Sequence, residues 1–287
     1  MRVAKYWTKG SYTGQGSHGN ESTFSAWGWS LDSMAAAKDN AVARAKRIFD
    51  YLVNGTRLDT YEYADVPMRE EIVQTLRNGD KDIAIITRNG YGALVINTAS
   101  VLFADVDYPR IRANGLWDAL VLAFSRVRRE WRTAACRELT LDSIREWSRQ
   151  NPGRSFRIYR TRAGLRLLFV DRLYEPKSAE TSNLLKELGS DPLYNRLTSK
   201  QECFRARLTP KPWRCGCKSP PHTYPWKDVQ AERSYRDWER RYAETTKAYG
   251  VCELVETCGV AAPSGEIAQI VDLHDRMACG GSRKELA

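Results

Sequence analysis

Histidine is scarce in this chain of 287 residues. There are three, with four methionines, against 45 lysines and arginines. So few imidazoles leave little material for a nucleophilic Ser or Cys enzyme. His274 is the obvious base, and it sits beside Asp275 in an amphipathic segment where a surface or core role is the better reading. Neither GxGxxG nor GxxxxGK[ST] occurs, which argues against a dinucleotide-binding or P-loop enzyme. No apolar run approaches the length needed to cross a bilayer. The first residues (Met1-Arg-Val-Ala-Lys-Tyr-Trp7) lack the apolar stretch of a secretory signal. Seven cysteines without an export signal point to reduced thiols or metal ligands and to the cytoplasm.

What the chain does have is positive charge and aromatic rings. The formal net charge is +10, yet 42% of residues are hydrophobic and nine are tryptophan. The excess charge therefore belongs to a folded surface, not to a disordered tail. A basic folded surface favours polyanionic partners, nucleic acid first.

Residues 1–29 are Gly/Ser-rich but carry aromatics, and Ser25–Ser30 has strand-like content. His18 reads as a loop residue. Met34, Ala37, Ala41, Ala45, Ile48 and Leu52 recur at helical spacing, predicting a helix over 32–54 stopped by Gly55. Asp65-Val-Pro-Met-Arg-Glu-Glu71 carries the marks of a second helix start, ended by Asn78-Gly79. Ile83–Thr87 and Ala93–Asn97 flank an Asn-Gly turn and predict a hairpin with Arg88 and Tyr91 at its tip. Leu116, Leu120, Phe124, Val127 and Trp131 stripe a helix over 113–132, and another follows, capped at Thr140. Ser155–Thr161 and Leu165–Asp171 predict a second hairpin. Helices are expected after Ser178, over 226–249 and from Ser264. The fold class is α+β, an antiparallel hairpin-built sheet flanked by helices. It divides into a core over 1–225 and a helical C-terminal region over 226–287.

Chemistry concentrates in two places. Val101-Leu-Phe-Ala-Asp-Val-Asp107 reads as a buried strand whose Asp105 and Asp107 share one face, since side chains alternate with period two. Adjacent carboxylates call for a hard cation such as Mg²⁺ or Mn²⁺, unless the strand simply runs into a polar turn. Arg160, Arg162 and Arg166 cluster at the second hairpin, where guanidinium groups can clamp phosphate. The second place is Arg196–Lys218, the most basic segment. Its Pro210, Pro212 and Trp213 suggest a rigid extended loop, with Arg205, Arg207, Lys211 and Arg214 offering cations around an aromatic face. That combination suits stacking on bases while neutralising phosphates, though a basic edge strand with a buried Trp would look similar. Cys215-Gly-Cys217 with Cys203 and His222 offers a Cys₃His zinc set, against the plainer reading of reduced thiols.

Leu102-Phe-Ala-Asp-Val-Asp107 resembles the acidic hhhDhD strand of the archaeo-eukaryotic primase superfamily, the core of primase-polymerases in DNA replication. Tyr159-Arg-Thr-Arg-Ala-Gly-Leu-Arg-Leu-Leu-Phe169 is similar to its second motif in strand and turn. Leu165 and Arg166, however, stand where that family has histidine. The resemblance spans roughly residues 80–175. It implies a divalent-metal-dependent nucleotidyltransferase with Asp105, Asp107 and Asp171 as carboxylates, Arg160, Arg162 and Arg166 on the phosphates of a nucleoside triphosphate, and Lys211 and Arg214 on the nucleic acid. The other reading is a DNA- or RNA-binding protein that keeps the fold without the chemistry. The C-terminal half, from Cys203 to Gly216 especially, also resembles a group of uncharacterised bacterial proteins, which carries no functional implication.

Overall fold

The computed structural model describes residues 1, 3–16, 20–54, 67–109, 113, 115–279 and 284–287. His18, Gly55 and Asp65 lie outside them. Strands β1 (Tyr6–Gln15) and β2 (Glu21–Ser30) form a ten-residue antiparallel hairpin, and helix α1 (Met34–Asn54) lies across it. Ala37, Ala41 and Ala45 are fully buried because this contact is backbone against backbone. A Cβ on Gly28 would sit 2.2 Å from the Ala41 nitrogen, so only glycine allows the helix this close. The ends of the expected stripe, Met34 and Leu52, are exposed, and Phe49 is buried instead.

Next come β3 (Glu71–Asn78), β4 (Lys81–Arg88), β5 (Leu94–Thr98) and β6 (Phe103–Asp107). The segment read as a helix start leads into β3. Ile72, Val73 and Thr75 are β-branched, and β4 supplies the pairing that helix propensity alone cannot outweigh. Gly79, at φ +59°, makes the turn between Asn78 and Lys81. Helix α2 (Leu116–Phe124) and the long α3 (Arg126–Gln150) follow, then β7 (Phe156–Thr161) and β8 (Gly164–Phe169). The helix expected over 113–132 is interrupted at Ser125. Its Oγ accepts a hydrogen bond from the Arg128 N–H at 3.2 Å and so starts α3 afresh. Thr140 is therefore interior to α3, not a cap.

The chain closes with α4 (Ala179–Glu187), α5 (Pro192–Gln201), β9 (Phe204–Arg207), a 3₁₀ turn at Pro212–Arg214, α6 (Val229–Thr246), β10 (Tyr249–Gly250), β11 (Cys252–Cys258), α7 (Gly265–Ala278) and β12 (Glu285–Leu286). The basic stretch 196–218 is thus only in part a loop. Arg196 and Lys200 ride on α5, and Arg205 and Arg207 on β9. No helix among the described residues is long and apolar enough to cross a membrane.

The fold is α+β. One four-stranded antiparallel sheet runs β3-β4-β5-β9 and another β11-β7-β8-β6. The C-terminal region contributes strands as well as helices, since β11 is hydrogen-bonded to β7. A single core joins both sheets to the inner faces of α3, α4 and α7, with Phe103, Phe156, Phe169 and Tyr159 among its largest fully buried side chains. β6 and β9 are the facing edges of the two sheets, and side chains stitch that seam. The Tyr194 hydroxyl donates to the Phe103 carbonyl at 2.8 Å, Ser190 Oγ to the Asp105 carbonyl at 3.0 Å, and Arg166 Nη1 to the Arg207 carbonyl at 2.9 Å. Strand-edge acceptors that would otherwise be orphaned are met this way.

Candidate nucleic-acid interface

Asp105 and Asp107 sit at the C-terminal end of β6, on one face as the alternation requires, with Val106 buried between them. Across the ladder Asp105 pairs in register with Arg166. Arg166 Nε lies 2.9 Å from Asp105 Oδ1 and Nη2 3.4 Å from Oδ2. Burial works against the charge on Arg166, but the Asp105 carboxylate, together with Cys252 and Tyr194, more than offsets it and holds the guanidinium protonated. Arg166 thus supplies the cation that a carboxylate in this position requires.

The remaining residues of the expected site disperse. Asp171 follows the opposite end of β8, on the order of 15 Å from Arg166 at about 3.3 Å per residue. There it accepts hydrogen bonds from the Tyr174 hydroxyl at 2.8 and 3.0 Å. The three carboxylates that the primase resemblance implies therefore do not meet. Arg160 pairs with Glu253 at 2.7 Å, whereas Arg162 projects from the turn, exposed. Arg205 is committed elsewhere. Its Nη2 bonds both Glu70 carboxylate oxygens at 2.8 and 2.7 Å, in a polar group that includes Thr87 and Asn97.

What does assemble is a cationic surface with aromatic faces. Lys211 Nζ stands 6.0 Å from the Tyr91 ring centre and 5.6 Å from that of Trp213, and the two rings meet edge to face at 5.3 Å. Trp213 is 54% exposed. The loop carrying these groups is held from below. Thr209 Oγ1 accepts from the Leu94 N–H, and the Tyr242 hydroxyl bonds Thr209 and the Pro210 carbonyl. At the tip of the β4–β5 hairpin Gly92, at φ +91°, leaves room for Trp238, which a Cβ would approach to 2.1 Å. Trp238 stacks in turn on Tyr242.

The cations there crowd one another. Burial first, then Arg207 and Arg214, push the Lys211 pKa below its ordinary value, while Asp107 pulls the other way. Arg214 is lowered by burial, Arg207 and Arg162. Arg207 Nε is buried with no hydrogen-bond partner among the described residues. Lys211, Arg207, Arg214 and Arg162 thus stand together against their own repulsion, with Asp107 among them. Arg162 also lines a groove of about 530 Å³ with Arg137, Arg160 and Lys284 and the acids Glu253 and Glu285, where Arg137 lies over the Tyr108 ring at 5.9 Å.

No protein-family model, curated protein or solved structure matches the chain.

The cysteines of the expected zinc set lie in different surroundings. Cys203 is buried with Val3, Met68 and Ile85. Cys215 packs beneath α6 with Tyr235, Trp238 and Tyr242, and Cys217 lies against that cluster. His222 is exposed. Among the described residues, the grouping close enough to share an ion is Cys252, His274 and Cys279, whose ligand atoms all lie within 4.8 Å of one another. Inspection of the sequence missed this triad because its members are widely separated and match no short metal-ligand spacing. Arg137 was missed as well. It sits on a helix rich in arginine, and nothing local marks it out from its neighbours.

Proposed function

We propose that the protein binds single-stranded nucleic acid along the surface running from Arg137 and Arg160 through Arg162 and Arg214 to Lys211, Trp213 and Tyr91. The observation that carries this reading is Lys211, on an anchored loop, set against the two contacting rings of Tyr91 and Trp213, with Arg162, Arg207 and Arg214 around it. Cations track a phosphate backbone, and an exposed indole gives a base something to stack on without selecting its identity. A duplex keeps its bases stacked inside and offers Trp213 none, so the ring favours unpaired strands.

Binding, not nucleotidyl transfer, is the function this arrangement supports best. Asp105 is bound to Arg166, and Asp171 lies beyond the far end of β8. The phosphate-holding role assigned to Arg166 by analogy passes to Arg162, Arg207, Lys211 and Arg214, with Asp107 beside them setting a local limit on charge.

The test is fluorescence anisotropy with labelled single strands of DNA and RNA and with a duplex, across a salt series. Binding of a single strand that is tighter than duplex and falls steeply with salt is the expected outcome. Affinity that is absent at low salt, or unchanged in Lys211→Ala/Arg214→Ala, overturns the reading.

A further inference from the structure

The chain holds a second candidate site, on the opposite side of Arg166 from the solvent. Cys252 opens β11, and His274 and Cys279 lie on and just after the last turns of α7. The Val251 N–H donates to the Ala278 carbonyl at 2.9 Å, which brings the two cysteines side by side. Cys252 Sγ is 3.8 Å from Cys279 Sγ and 3.8 Å from His274 Nε2. We infer that Cys252, His274 and Cys279 bind a zinc ion, with a fourth ligand from water or a small anion.

The Cys252–Cys279 and Cys252–His274 distances suit the ion, and Cys279 and His274 lie within 4.8 Å of each other. Tetrahedral zinc with Zn–S of about 2.3 Å and Zn–N of about 2.0–2.1 Å puts its sulfurs about 3.8 Å apart and sulfur about 3.6 Å from nitrogen. A disulfide requires about 2.05 Å between the sulfurs, so the pair stands at the separation of metal ligands. The histidine is also oriented for ligation. Its Nδ1 faces Asp275 Oδ1 at 3.1 Å, and Asp275 is fixed by the Tyr159 hydroxyl at 2.7 Å and by Arg157 at 3.0 Å. A carboxylate on one ring nitrogen sets the tautomer that leaves the other nitrogen's lone pair for a metal. Arg166 Nη1 lies 3.4 Å from Nε2 and already donates to the Arg207 carbonyl at 2.9 Å, so its N–H must leave the Nε2 lone pair to the ion when zinc binds.

Charge closes as well. Two thiolates neutralise a divalent ion, Asp105 balances Arg166, and Asp275 balances Arg157. Two sulfurs and an imidazole form a soft donor set that selects zinc over magnesium or calcium. The site would clip the end of α7 to the start of β11 behind Arg166, and it stands independently of nucleic-acid binding.

The test uses the full chain purified under reducing conditions without chelator. Zinc is counted by mass spectrometry, and Co²⁺ is titrated into metal-free protein while its absorption is recorded. One zinc per chain is expected, with thiolate-to-cobalt charge-transfer and tetrahedral ligand-field bands. Cys279→Ser should abolish stoichiometric zinc, Asp275→Asn should weaken it about 10–100-fold, and Cys217→Ser should leave it intact. Zinc retained in Cys279→Ser but lost in Cys217→Ser overturns the assignment in favour of the other cysteines. Free thiols with no cobalt bands, or a Cys252–Cys279 disulfide surviving reductant, also overturn it. If Cys279→Ser does not fold, the wild-type cobalt spectrum decides.

Discussion

Arg166 and Asp105 face each other across β8 and β6, and they are unequally sheltered. The Arg166 side chain is 3% exposed and that of Asp105 43%. Removing either partner therefore strands a different charge. Asp105→Asn leaves a buried guanidinium without its counter-ion and should cost about 3 kcal/mol, the lower end for breaking a buried pair. Arg166→Met leaves a carboxylate that water can reach, so its cost should be smaller, about 1–2 kcal/mol, most of it from the lost bond to the Arg207 carbonyl. Urea unfolding of both variants checks the order, and a costlier Arg166→Met would contradict this account. Any activity assay on Asp105→Asn needs the same control, because a folding defect would mimic a lost active-site residue.

Lys211 should make binding sensitive to alkaline pH. Its folded pKa lies below the ordinary lysine value of 10.5, so the charged form is complete only below that depressed value and is lost as pH rises through it. Affinity for a single strand should therefore begin to fall at a pH where exposed lysines remain charged. Lys211→Arg should remove that early fall. The same sign predicts that Lys211→Met stabilises the unbound fold at neutral pH while weakening binding. Anisotropy against pH and thermal unfolding of the three proteins test both halves.

Stacking and charge should separate experimentally. Trp213→Ala should lose about 1–3 kcal/mol of binding free energy with the salt dependence unchanged, because it removes a ring and no cation. Lys211→Ala/Arg214→Ala should instead reduce the slope of log affinity against log salt by roughly 0.7 for each cation lost. If both variants moved slope and affinity together, the loop would be acting through its shape alone.

The apolar stripe of α2 and early α3 carries the opposite expectation from the one its pattern suggests. Leu116 and Phe124 are each 86% exposed and Val127 76%. Leu116→Gln and Phe124→Gln should each change the unfolding free energy by no more than about 0.5 kcal/mol. A loss of several kcal/mol in urea unfolding would mean that the stripe is packed in solution.

Local pattern was enough for the elements whose neighbours lie close in sequence. The hairpin β7–β8, the strand ending in Asp105 and Asp107, the Tyr91 turn, the helix capped by Ser178 and the amphipathic helix expected over 226–249 were all legible, because period and turn chemistry are short-range properties. The placement of Lys211, Trp213 and Arg214 in one basic, aromatic segment was legible for the same reason. Partnership was not. Residues 71–78 form a strand because β4 is there to pair with them, and the helix over 113–132 breaks at a serine whose capping role depends on the backbone around it. Only the tertiary structure decided that Asp105 meets Arg166, that Arg205 is tied to Glu70, and that Cys252 meets Cys279 and His274. It also separated Asp171 from the other carboxylates and brought Arg207 and Arg162 beside Lys211 and Arg214. Such contacts join distant segments through sheet register and helix packing, and a one-residue shift in register would turn the strand-borne Asp105, Arg166, Arg205 and Cys252 to the other face.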